Sequence, residues 1–118
     1  MAFKFESLDV WKEANIYTLK IYKITNTFPR EELFALTSQL RRSVSSIAAN
    51  IAEGSGSSSK KDFSHYLDIL IKSTYETVSH LYLAKQLDYV SENIRIDLYK
   101  DAEILTKKIQ SFRIYLRK

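Results

Sequence analysis

Apolar residues recur along most of this chain at alternating steps of three and four, the spacing that lines one face of an α-helix. The first such stretch predicts a helix over about 7–25, with Val10, Ala14, Tyr17, Ile21, Ile24 and Phe28 as its stripe. Trp11, Leu19 and Tyr22 widen that face, Ser7 is placed to cap it, and Asp9 and Glu13 sit near its positive end. Pro29 marks the first joint, because proline fits the first turn of a helix and not its interior. A second helix is predicted over about 30–53, opened by Glu31 and Glu32 and striped by Leu33, Leu36, Leu40, Val44, Ile47 and Ile51. Gly54 is expected to end it in the left-handed conformation.

The low-complexity run GSGSSS, 54–59, forms the second joint. Ser59 and Asp62 resemble a capping box, so the third helix is predicted over about 59–87. Phe63, Leu67, Leu70, Thr74, Thr77, Leu81 and Ala84 make its stripe. Tyr66, Ile69, Ile71, Tyr75, Val78, Tyr82 and Leu83 fall outside that stripe, so this helix is expected to be buried on more than one side. Ser91 can cap a fourth helix over about 91–117, carried by Ile94, Leu98, Ala102, Leu105, Ile109, Phe112 and Leu116 at near-heptad spacing. Four amphipathic helices with short joints predict one all-α domain, 1–118, an antiparallel up-and-down four-helix bundle. The surplus apolar face needs another partner, and a second copy of the chain is the simplest.

Composition agrees: two glycines and one proline in 118 residues leave little material for the tight turns of a strand-rich fold. The absence of cysteine excludes disulfides and thiolate metal sites and suits a cytoplasmic setting. No run approaches the roughly 18 apolar residues of a membrane span, and the first stretch lacks the shape of a signal peptide. The net charge of +4, from 18 basic and 14 acidic side chains, is mild. Lys107, Lys108, Arg113, Arg117 and Lys118 close the chain with no acid among them, an arrangement that also complements the helix dipole.

The stretch from Gln39 to Gly54 has a distinct pattern. Ser45, Ala48, Ala49 and Ala52 form a smooth flank that admits a neighbouring helix closely. A third line, Gln39, Arg42, Ser46, Asn50 and Glu53, is polar. A solvated outer face is the favoured reading of that line; a subunit junction and a ligand site are the alternatives. Glu53 opposes the negative end of the helix, a local rule broken.

The segments LDVWKEA, FPREELFALTSQLRRSVSSIAANIAEGSGSSSKKDFSHYL and STYETVSHLYLAKQL together resemble the four-helix bundle proteins linked to intervening sequences of bacterial 23S ribosomal RNA genes, also called S23-type proteins. The resemblance covers nearly the whole chain and is most specific at QLRRSVSSIAANIAEG, where Ser43, Val44 and Ser45 depart slightly from the family's more alanine-rich pattern. It implies up-and-down bundles assembled into pentameric rings, with no established enzymatic activity. A related branch serves as the nucleic-acid-binding accessory subunit of the reverse transcriptase in diversity-generating retroelements. Arg41, Arg42, Asn50, Glu53 and Gly54, beside Gln39, carry the family motif without an assigned role.

Catalytic and cofactor chemistry finds little support. His65 with Asp68, and Glu76 with His80, each put two ligand types on one face, but both histidines lie on one predicted helix, too far apart to share an ion. GSGSSSKK lacks the phosphate-loop pattern and follows a helix rather than a strand. No serine has a placeable histidine partner. The expectation is a non-enzymatic protein with no metal and no cofactor. Arg41, Arg42, Lys60, Lys61, Lys107, Lys108, Arg113 and Arg117 are the candidate contacts to RNA or DNA, expected as one basic stripe that a ring would repeat to about +20 in five copies. A protein-binding scaffold with no nucleic-acid role is the alternative.

Overall fold

The structure, a computed structural model, describes residues 2–118. Four helices carry the fold: α1 Asp9–Thr25, α2 Leu36–Ser55, α3 Lys60–Gln86 and α4 Glu92–Leu116, with 3-10 turns at Lys4–Ser7 and Arg30–Glu32. Among the described residues there is no strand. Each helix packs against its neighbours in sequence, and α1 meets α4 to close a four-helix bundle. The long axis of 44 Å is close to one length of α3, which at 1.5 Å per residue spans about 40 Å.

The stripes meet in one core. Ile21, Leu40, Ile47, Ile51, Leu67, Leu70, Leu81 and Ile109 are fully buried, each contributing about 1.5–3 kcal/mol through removal from water. Every residue of the predicted α3 stripe is buried, and Ser59 caps that helix by accepting from the Asp62 N–H at 3.1 Å. Ser91 does the same for α4, accepting from the Ile94 N–H at 3.2 Å. α1 comes close to the α2 backbone: Thr18 Oγ1 donates to Val44 O at 3.3 Å as well as to Ala14 O at 2.8 Å, and of the adjacent small residues Ala48 is buried while Ala49 is exposed. Only small side chains let one helix approach the backbone of another this closely.

Three expectations need correction. Ser7 does not cap α1; its hydroxyl donates to Lys4 O in the preceding 3-10 turn, and Leu8 stands at the N-cap without a side-chain bond. Phe5 packs on Trp11 at 4.8 Å between ring centroids and fixes this entry instead. The segment after Pro29 forms one 3-10 turn and breaks at Leu33–Ala35, so α2 begins at Leu36 and Leu33 is exposed rather than in the stripe. Glu32 makes this break tenable: its carboxylate accepts from the Leu36 N–H at 3.3 Å and from the Tyr89 hydroxyl at 2.7 Å, joining two connections at one end of the bundle.

Gly54 is not the expected left-handed stop. No glycine has positive φ, and α2 runs on through Ser55. Gly54 is required by proximity: a Cβ there would lie 2.7 Å from Phe63 Cδ1 and 2.8 Å from Tyr66 Cβ. The left-handed residue is Asp88, at φ 62, where α3 ends. The Tyr89 N–H reaches Ala84 O at 2.9 Å and the Asp88 N–H reaches Lys85 O at 2.9 Å, the paired bonds of a Schellman stop. On α3, Ile71 and Val78 outside the stripe pack against the core, while Ile69, Tyr75, Tyr82 and Leu83 are exposed in the single chain, the surplus apolar face that another chain would cover.

The α1–α4 seam is the loosest of the four. A cleft of about 160 Å³ opens there between Ile16 and Tyr17 on one side and Ile104 and Leu105 on the other. Ion pairs bridge its rim, Lys20 to Asp101 at 2.8 Å and Lys108 to Glu13 at 2.5 Å. Burial, and the nearby Asp101 carboxylate, push the Tyr17 phenol well above its ordinary pKa.

Two substitutions test these close contacts. Gly54→Ala is expected to lower stability by about 1–3 kcal/mol in chemical denaturation, because the Phe63 ring and the α3 backbone must both give way. Asp88→Val is expected to cost about 1–2 kcal/mol, since a β-branched residue tolerates the left-handed region poorly, while Asp88→Gly leaves stability unchanged or higher.

Candidate nucleic-acid interface

The polar line on α2 lies along the α2–α3 seam rather than on an outer face. Ser46 Oγ meets Ser73 Oγ at 2.7 Å, and Asn50 Nδ2 donates to Ser46 O at 2.8 Å and Ser46 Oγ at 3.1 Å. One turn deeper, Ser43 Oγ and Thr77 Oγ1 meet at 2.8 Å in the core. Arg42 pairs with Glu76 of α3 and donates to Gln39 Oε1 at 2.8 Å. Glu53 remains exposed at the far end of the line. Spacing gives the line but not where the neighbouring helix sits, and α3 covers its middle.

Arg41 is tied to the end of α1. Its Nε donates to Thr25 Oγ1 at 2.9 Å, its second terminal nitrogen donates to Asn26 Oδ1 at 2.8 Å, and the guanidinium lies 4.9 Å from the Tyr22 ring centre. A cation at the C-terminus of α1 suits that dipole. The arginine pair of the motif thus fastens α2 to α1 and α2 to α3.

The eight candidate cations do not form one stripe. Lys60 and Lys61 open α3 at the end of the bundle where α4 finishes, and there they join Arg113 and Arg117. Lys60 Nζ lies 5.3 Å from the Tyr115 ring centre. Arg113 and Arg117 share Asp68, donating to its two oxygens at 2.7 Å and 2.8 Å, and Arg117 Nε also reaches Ser64 Oγ at 3.3 Å. Lys108 faces α1 through its pair with Glu13, and Lys107 lies on the opposite side of α4, at the α3–α4 groove. Arg41 and Arg42 sit toward the other end. Asp68, which organises the two arginines, carries no sequence signal for that task, because its partners come from another helix.

The bond from Arg113, with the Arg117 charge adding to it, holds the Asp68 carboxyl below the usual carboxylate range against a smaller opposing effect of burial. His65 is exposed and His80 Nε2 lies 3.1 Å from Glu76 Oε2. Among the described residues no three His, Asp or Glu side chains are grouped to hold a metal. Among the described residues no helix is long and apolar enough to cross a membrane.

An antiparallel helical bundle with its charged groups cross-linking its own helices defines a class of small all-α proteins. Within that class the chain belongs to the 23S rRNA-intervening sequence protein family, whose model matches residues 6–111. A crystal structure of a protein of unknown function from the S23 ribosomal protein family of Bacteroides thetaiotaomicron is similar, at 26% identity and a TM-score of 0.81 over 88% of this chain and 94% of that one. No curated protein sequence matches the chain.

Because the Asp68 pKa is depressed in the fold, its contribution to stability is present above about pH 4, the unfolded value, and is lost as pH falls through the lower folded value. Asp68→Asn is therefore expected to be less stable than the parent at neutral pH, with the two converging in acid. Parallel denaturation curves across that range would read it, and a gap independent of pH would contradict the assignment.

Proposed function

We propose that this chain is a non-enzymatic, cytoplasmic homo-oligomer, a pentameric ring, that associates with nucleic acid or ribonucleoprotein through a repeated basic surface. The observation that carries the reading is the end of the bundle where Lys60, Lys61, Arg113, Arg117 and Lys118 converge, with Asp62 and Asp68 on α3, Glu53 at the close of α2, and Glu6 and Asp9 at the opening of α1 as the acids of that end. Lys60, Lys61, Arg117 and Lys118 are exposed there. Rotational symmetry would set copies of this end around one rim, where modest charges sum into a field that attracts a polyanion. Binding of this kind addresses phosphates, so it is weakly selective for sequence and steeply dependent on salt. The exposed apolar residues Ile69, Leu83 and Leu87, on one outer face of α3, support burial against another chain. They also favour the second reading, a scaffold for a different protein.

Light scattering with a mixed pool of short RNA and DNA tests both. The expected result is a pentamer that gains nucleic-acid mass at low salt and sheds it as salt rises, with affinity falling by roughly a thousandfold between about 50 and about 200 mM. Lys60→Glu combined with Lys61→Glu should flatten that dependence. A pentamer indifferent to nucleic acid at low salt would leave the scaffold reading, and a monomer would remove the ring.

A further inference from the structure

We infer that the groove between α3 and α4 is a binding slot for a single unstacked nucleobase that carries a phosphate. The groove has a volume of about 320 Å³ and lies between Tyr75 and Val78 on α3 and Tyr99, Thr106, Lys107 and Gln110 on α4. That is the size of a small-ligand pocket, room for one base and not for a stacked pair. Its walls supply the three things such a ligand needs.

The first is flat aromatic surface. Tyr75 is 67% exposed and Tyr99 40% exposed, so both rings are accessible from the groove to an incoming planar group. Neither ring packs against another aromatic side chain, whereas at the basic end Phe112 meets Phe63 edge to face and stacks on Tyr115. The second is a hydrogen-bonding edge. The Gln110 amide offers donors and an acceptor, Thr106 a hydroxyl, and the Glu103 carboxylate, also on the groove, accepts from an exocyclic amine. The third is a cation for the phosphate. Lys107, like Lys100, has no ion-pair partner among the described residues, while Arg95, Lys108 and Arg113 on the same helix are each held by a carboxylate; of the two free lysines only Lys107 lines the groove. A cation left unpaired beside two exposed rings matches the base-plus-phosphate combination by charge and by shape.

The same chemistry belongs to a base in single-stranded nucleic acid and to a free mononucleotide. The strand as source rests on the nucleic-acid reading above; the mononucleotide does not. A duplex is excluded in either case, because its bases are already stacked and paired.

The test uses the full chain, with a fluorescent single-stranded oligonucleotide, the corresponding duplex, adenosine monophosphate and inorganic phosphate as probes. Tyr75→Ala combined with Tyr99→Ala is compared with Tyr75→Phe, which keeps the ring, and with Lys60→Glu combined with Lys61→Glu. The substituted tyrosines are exposed, and unchanged thermal melts would certify the fold. The double alanine variant is expected to bind the single strand roughly five- to a hundredfold more weakly, with duplex binding unchanged and Tyr75→Phe close to the parent. If the parent binds the strand and the double variant binds it equally well, the slot is overturned while the basic end stands. If the parent binds no strand but binds adenosine monophosphate better than phosphate, and the double variant loses this, the slot holds with a nucleotide as its ligand and the nucleic-acid reading falls. Binding of neither overturns both.

Discussion

Close approach of α2 to α3 is the constraint on which the rest of the bundle depends. At one end Gly54 lets the Phe63 ring and the Tyr66 Cβ come within a distance that any side chain would block. In the middle, Ser43 meets Thr77 and Ser46 meets Ser73, pairs of small hydroxyls that satisfy each other without pushing the helices apart. Toward the other end Arg42 spans to Glu76 across the rim. With these two helices set, Ile47, Ile51, Leu67 and Leu70 are buried in one core, and the remaining helices cover the apolar faces left open on either side. The run RRSVSSIAANIAEG is thus largely accounted for as packing: small where α1 and α3 come near, cationic where two helices must be fastened.

This accounts for what the sequence made legible. Periodicity located four helices and most of the core, because burial of a stripe depends on little beyond the helical repeat. The α3 stripe is buried from Phe63 to Ala84 without exception. Ends were harder, since they depend on contacts made elsewhere. Glu32 holds the start of α2 only because Tyr89, distant in sequence, reaches it. Asp88 rather than a glycine takes the left-handed stop, which composition alone would not select. Gly54 was visible as special, but for a conformational reason that the structure replaces with a steric one.

The charged residues were legible as residues and not as a surface. Counting cations along the chain treats each as free, whereas five of the eight singled out answer a carboxylate or an amide oxygen of the same chain. Arg41 caps α1, Arg42 answers Glu76, Lys108 answers Glu13, and Arg113 and Arg117 share Asp68. Pairing of exposed groups like these adds little stability each, yet it fixes where charge remains. Of those eight, Lys60, Lys61 and Lys107 remain without such a partner, and the proposed functions of the chain draw on them.

The loose α1–α4 seam gives the molecule a spine and a fore-edge. The α2–α3 contact, the most extensive of the four, is the spine; α1 and α4 are covers joined to it along one side each. They meet across a cleft whose rim is latched by two solvent-facing ion pairs, an arrangement that water and salt can undo at small cost. Opening of the book leaves most of the core stacked on the spine. Breathing of this fold is therefore directional, and a neighbouring molecule that inserted along the fore-edge would meet Ile16 and Ile104 first.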